Sequence, residues 1–293
     1  MLKHKTKQKH DSSLASTAPA NKFWQRILTG AVYVGAVAGL IVYSHLLFSL
    51  LFLAISLWAL YEFYRMVSLI GRYHIRYVAG IAAGVVVYAT LALVSLQWAN
   101  PRLMFVNLLL LPLMLVAELY YKSPTPFRNV ALNVFGIFYI IVPFALLNFF
   151  FNPAFSPTGD HPAILLGFFI LLWVYDSFAY LFGVWLGKHR LFERHSPKKS
   201  WEGLIGGFVA GFAAAFIIAS LWPQYTLWQW LVMAAIIMIF GTFGDLAESM
   251  LKRSIKLKDS GRALPGHGGL LDRFDALLLA APAVFVFLML FID

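Results

Sequence analysis

The stretch from Ser249 to Asp275, SMLKRSIKLKDSGRALPGHGGLLDRFD, gathers carboxylates, cations and glycines at spacings that suit work on phosphates. Just upstream, Asp245 lies near the end of an apolar run. If that run continues as a helix, Glu248, Ser249 and Lys252 follow at three, four and seven residues and share its face. A carboxylate with a hydroxyl and an ammonium beside it suits a magnesium-bound polyphosphate. Magnesium takes one or two carboxylates and leaves positions for phosphate oxygens and water. The plainer alternative is an ion pair of Asp245 with Lys252 or Arg253 that merely anchors the helix end. An ionisable group inside an apolar span is costly unless it serves a function, which favours the phosphate chemistry.

Lys252, Arg253, Lys256 and Lys258 form a basic cluster that could equally be topogenic or bind lipid headgroups, although Asp259 beside Lys258 is unusual for a pure lipid patch. Pro265-Gly266-His267-Gly268-Gly269 then leads into another apolar run. Its glycines allow close backbone approach to a ligand, and a helix N-terminus just after it favours anions. A flexible turn is the alternative. Asp272 and Asp275 flank Arg273 at the start of that run, as helix caps or as metal ligands, with the glycine loop favouring ligation for Asp272. A second cluster runs His195-Ser196-Pro197-Lys198-Lys199-Ser200-Trp201-Glu202-Gly203. Ser200 there is either a helix cap with Glu202 in the first turn or a substrate contact. Asp176, beside Tyr175 and Ser177 in mid-span, is a further functional residue whose partner the sequence does not name. Glu62 with Arg65, and Glu118 near Lys122, read as local interfacial pairs with no assigned role.

The elements that position these groups are membrane helices. The chain has 293 residues, 61% hydrophobic and 12% charged, against roughly a quarter charged in a soluble domain. Apolar runs of about 20 residues, enough for a hydrocarbon core of roughly 30 Å, recur over 27–45, 47–66, 77–98, 103–121, 129–151, 163–187, 204–222, 227–247 and 276–292. The expected fold is all-α and polytopic, with nine spans and a cytoplasmic N-terminus. That orientation puts 22 of the 23 Lys and Arg in cytoplasmic segments and leaves only Arg102 outside. Residues 1–26 read as a disordered basic tail rather than a cleavable signal peptide, 27–160 as five spans, and 161–293 as a catalytic region of four spans with two cytoplasmic loops. There is no cysteine, so disulfides and thiolate chemistry are excluded. The net charge of +10 lies beside spans, which points to a lipid bilayer and not to nucleic acid.

The C-terminal stretch resembles the signature of the phosphatidate cytidylyltransferase (CDP-diglyceride synthetase) family. The matching residues are Ser249, Lys252, Arg253, Lys258, Asp259, Gly261, Leu264, Pro265, His267, Gly268, Gly269, Asp272, Arg273 and Asp275, with no departure in that segment. The segment from Ser196 to Gly203 resembles the family's upstream motif, while the first five spans agree in character only. The resemblance implies CTP and phosphatidic acid as substrates, and CDP-diacylglycerol and pyrophosphate as products. It also implies Mg2+ held by Asp245 and Asp272, a homodimer, and a location in the cell membrane with the site facing the cytoplasm. On that basis Lys252, Arg253 and Lys258 neutralise the triphosphate, and Asp259, Arg273 and Asp275 support the catalytic site. The Gly266, Gly268 and Gly269 backbone cradles phosphate, with a hydrogen bond from His267. Ser196, Lys198, Lys199, Ser200 and Ser249 bind substrate. Three rivals remain at this point: a CTP-dependent kinase or transferase acting on another lipid phosphate; a secondary transporter, although no internal repeat of the kind such transporters carry is visible; and a scaffold or receptor without chemistry, which would not need so many charged groups beside intramembrane carboxylates.

Overall fold

The computed structural model describes residues 30, 32, 34–69, 76–152, 155, 162–257, 260–261 and 269–292. The expected tail over 1–26 lies outside them. Contacts divide the chain into a unit ending at Gly39 and a body from Leu40 to Asp293. Among the described residues the helices are α1 (Val34–Tyr43), α2 (His45–Ser68), α3 (Tyr77–Ser95), α4 (Pro101–Tyr121), α5 (Pro126–Phe151), α6 (Ala163–Leu186), α7 (Trp201–Leu221), α8 (Leu227–Ser254) and α9 (Leu271–Phe291). Eight of these are long and apolar enough to cross a membrane; α1 is the described part of the first expected span. The all-α polytopic expectation holds. A hairpin adds to it: β1 (Arg190–Phe192) and β2 (Ser196–Ser200) pair antiparallel in what the sequence suggested was only a loop.

Local chemistry sets the helix starts. Ser44 caps α2 by accepting from Leu47 N at 3.3 Å. Thr226 and Gln229 form a capping box on α8, each side chain satisfying the other's free backbone group. Ser200 caps α7 by accepting from Gly203 N at 3.2 Å, as one of its two sequence readings had it. The α5 span contains a π-helical turn over Ile137–Ile141, which rotates the residues that follow it relative to those before it.

Between membrane helices the apolar surface is matched by lipid, so close van der Waals contact decides packing, and small residues permit it. The closest partners are α6 with α7, and α8 with α9; α5 also packs on α9, and α2 on α3. At the α6–α7 crossing a Cβ on Gly203 would meet Gly183 Cα at 3.0 Å, and one on Gly207 would meet Tyr175 at 2.7 Å. Gly244 plays the same part on α8, where a Cβ would lie 3.1 Å from Ala276 Cα of α9. An aromatic centre joins the two halves of the chain. Phe274 of α9 stacks edge-on to Phe144 at 5.2 Å and to Phe52 at 6.0 Å, and Phe52 meets Phe169 at 5.8 Å. The first spans therefore brace the last one directly.

Candidate active site

Helix α8 runs unbroken past the apolar run to Ser254, so Asp245, Glu248, Ser249 and Lys252 do share a face. Helix α9 begins at Leu271 and puts Asp272 and Asp275 in its opening turns. The close α8–α9 crossing at Gly244 brings these two sets of carboxylates together. The α6–α7 crossing brings Lys199, the residue before the α7 cap, toward them.

Two charge clusters result. In the first, Lys199 Nζ lies 2.6 Å from Asp245 Oδ2, and Ser249 Oγ donates to Asp245 Oδ1 at 3.3 Å. Asp176 on α6 and Asp275 on α9 lie near enough to interact electrostatically with both Asp245 and Lys199. Asp176 thereby gains the neighbours the sequence could not name. Asp275 also accepts from Ala276 N at 2.7 Å. In the second cluster, Lys252 Nζ sits between two carboxylates, 2.5 Å from Glu248 Oε2 and 2.6 Å from Asp272 Oδ1. Asp272 further accepts from Gly269 N at 2.9 Å and Ser260 N at 3.1 Å, so it ties both flanks of the glycine segment to α9. Glu248 is fully buried. Asp245 and Asp272 thus each hold a lysine, on adjoining helices.

The remaining predicted residues fall elsewhere. Ser200 is buried as the α7 cap, Ser196 is half-buried and Lys198 is exposed on β2. Arg253 points to the exposed side and donates to Leu257 O at 3.3 Å. Arg273 is exposed on the first turn of α9. Lys258, Asp259, Gly266, His267 and Gly268 lie outside the described residues. Glu202 accepts from the Lys188 and His189 backbone amides at 3.1–3.2 Å and meets His189 Nδ1 at 2.6 Å, which fastens the hairpin to α7.

Two pairings expected from sequence are corrected. Glu118 meets Arg76 at 3.6 Å, across from its own helix, and not Lys122; the Arg76 guanidinium also covers the Tyr121 ring. Glu62 is buried and turned away from a local pair with Arg65. It accepts from Leu271 N at 3.0 Å, Ser260 Oγ at 3.4 Å and Trp58 Nε1 at 3.3 Å. Glu62 was missed because two of its three partners, Ser260 and Leu271, lie some two hundred residues away; the only signal was a carboxylate in an otherwise apolar helix. Tyr139 was missed too. The π-helical turn places it among Glu248, Asp275 and Asp245, with its hydroxyl buried and without a hydrogen-bond partner among the described residues.

The side-chain donors of the two clusters, Asp176, Asp245 and Asp275 in the first and Glu248 and Asp272 in the second, are all oxygens, the ligand type magnesium prefers. Among the described residues no three acidic or histidine side chains already converge at ligation distance. Such an ion would draw further ligands from phosphate and water.

The sequence profile described as the cytidylyltransferase family matches residues 24–291. The chain belongs to that family. A phosphatidate cytidylyltransferase of Thermotoga maritima is 41% identical over 172 residues, which are 56% of this chain and 62% of that protein. The enzymes of the same description from Staphylococcus saprophyticus and Brucella abortus are 34% and 43% identical, over 57% and 44% of this chain and 62% and 49% of theirs. The chain therefore aligns with less than two thirds of the length of each of these relatives. The family profile spans both charge clusters and all eight long apolar helices of this multi-pass membrane protein.

Proposed function

We propose that the protein is a phosphatidate cytidylyltransferase, joining CTP to phosphatidic acid to give CDP-diacylglycerol and pyrophosphate. The observation that carries this reading is the pair of adjoining clusters in which Asp245 and Asp272 each hold a lysine at 2.6 Å, inside the stretch matched by the family profile. The names of the similar proteins support the choice of substrates.

In this reaction a phosphate oxygen of the lipid attacks the α-phosphorus of CTP, and the bond from that phosphorus to the pyrophosphate oxygen breaks. Both reactants are anionic, so positioning and charge neutralisation dominate, and the protein need supply little covalent chemistry. No base is required, because the lipid phosphate monoester is already largely ionised near neutral pH. Asp245 and Asp272 would hold Mg2+, with Asp275 beside them; when bound, it would offset phosphate charge and favour departure of pyrophosphate. Lys252 would turn from its carboxylates to the triphosphate, helped by Arg253, Lys258 and Arg273. Gly266, Gly268 and Gly269 would present backbone amides to phosphate, and His267 a ring hydrogen bond, with Asp259 supporting the segment. Lys199 would exchange Asp245 for the lipid phosphate as it enters, with Lys198, Ser196, Ser200 and Ser249 at the rim.

The site faces the cytoplasm of the cell membrane in this reading, as the one-sided distribution of Lys and Arg supports. A homodimer is the assembly that the resemblance of the signature segment implies. The test is direct. Purified protein in detergent, given CTP, phosphatidic acid and Mg2+, should yield a lipid whose mass has risen by one cytidylate unit. The absence of that lipid from a monodisperse preparation would overturn the assignment.

A further inference from the structure

Resting on that reading, we propose that Glu62 of α2 is a positioning residue for cytidylyl transfer, holding the start of α9 and the residues on both sides of the glycine segment in register with the α8 carboxylates. The carboxylate is 4% exposed and belongs to the first half of the chain, which among the described residues pairs no other charged group with the two clusters. One oxygen, Oε2, accepts from Leu271 N at 3.0 Å and Ser260 Oγ at 3.4 Å, and the other, Oε1, from Trp58 Nε1 at 3.3 Å. Both of the Oε2 partners also bear on Asp272. Ser260 N donates to Asp272 at 3.1 Å, and Asp272 follows Leu271 in the first turn of α9.

Glu62 and Asp272 therefore both hold Ser260 and the start of α9. The fit leaves no spare room. A Cβ on Gly261 would lie 2.5 Å from Glu62 Oε1, and one on Gly269 would lie 2.7 Å from Glu62 Oε2. A charged acceptor also suits this place, since a carboxylate at the first free amides of a helix opposes the positive end of its dipole. Glu62 touches no reacting atom. It acts through Asp272 and Leu271.

An amide at this position cannot replace the carboxylate. One of its two ends is an NH2, so either the Leu271 amide or the Trp58 indole must face a donor. Glu62→Gln should lower kcat by about tenfold or more, the usual scale for losing a buried hydrogen bond to a charged group, with the KM values for CTP and phosphatidic acid changed far less. Gly261→Ala leaves Glu62 in place but displaces its carboxylate, and should reproduce the kcat loss. The double variant should lose little more than the worse single one, because both act through one contact.

Hydrogen exchange of the purified proteins supplies a readout independent of turnover. The amides of Ser260, Gly269 and Leu271 should lose protection in Glu62→Gln, while those of α3 and α6 keep theirs. A kcat within twofold of wild type, or additive losses in the double variant, would overturn the proposal. If the wild-type protein itself transferred no cytidylate, the functional assignment would fail, and the exchange data alone would decide: unchanged protection at those three amides would refute the hold of Glu62 on them.

Discussion

Lys199, on the strand before α7, places its ammonium 2.6 Å from the carboxylate of Asp245 on α8. The contact joins two sequence motifs 46 residues apart and makes the basic residue of one the counter-ion of the acidic residue of the other. Because each partner is about one third exposed, the pair is open to exchange with incoming charged groups. A lysine so held can be handed to a phosphate without first being desolvated.

Asp245→Asn removes charge from this centre while keeping its shape. Turnover should fall by roughly two to three orders of magnitude, the scale seen when a group that stabilises transition-state charge is lost. The unfolding midpoint in detergent should stay near that of wild type. Activity within tenfold of wild type would remove Asp245 from the site.

Lys199→Ala should raise the KM for phosphatidic acid more than that for CTP, since its proposed partner is the lipid phosphate. Steady-state kinetics in mixed micelles, varying each substrate in turn, measures the two effects separately. An equal rise in both constants would contradict the assignment.

Lys252 has a structural duty as well. It is the only cation bonded to buried Glu248 among the described residues, and it also holds Asp272. Lys252→Met leaves those carboxylates without their cation, a loss on the order of 3–5 kcal/mol when one partner of a buried pair is removed. A clear drop in the thermal midpoint is expected, partly restored by adding Glu248→Gln. An unchanged midpoint would mean that the carboxylates find other partners.

Much of this was legible in the sequence for physical reasons. Membrane helices announce themselves because every backbone polar group must be satisfied within the helix, which demands long apolar runs. The seven-residue spacing from Asp245 to Lys252 needed only helical periodicity, and α8 supplied it. What the sequence hid were contacts between distant segments. Nothing in the neighbourhood of Glu62 points to Leu271, and nothing near Glu118 points to Arg76. The β-hairpin before α7 was also hidden, because its strands are of three and five residues and rich in charge. The π-helical turn that brings Tyr139 inward leaves no mark in an apolar sequence.

Helix crossings make a further demand. Gly203→Ala would place a Cβ 2.6 Å from Ala179 O and 3.0 Å from Gly183 Cα. Overpacking of this kind costs about 1–3 kcal/mol, and it should also cut activity, because Lys199 and Ser200 ride on the start of α7. Gly241→Ala, where a Cβ would meet nothing closer than Leu172 Cδ1 at 3.5 Å among the described residues, should cost far less in both stability and activity. Thermal unfolding and turnover measured on the two variants side by side check the contrast.

Transfer of a cytidylyl group to a lipid phosphate can be read from the fate of each phosphorus of CTP. Purified protein would be given phosphatidic acid and CTP labelled at either the α- or the γ-phosphate. Cytidylyl transfer puts α-label in the lipid and releases γ-label as pyrophosphate, and that is the expected result. Label from the γ-phosphate in the lipid would make the protein a kinase and overturn the assignment.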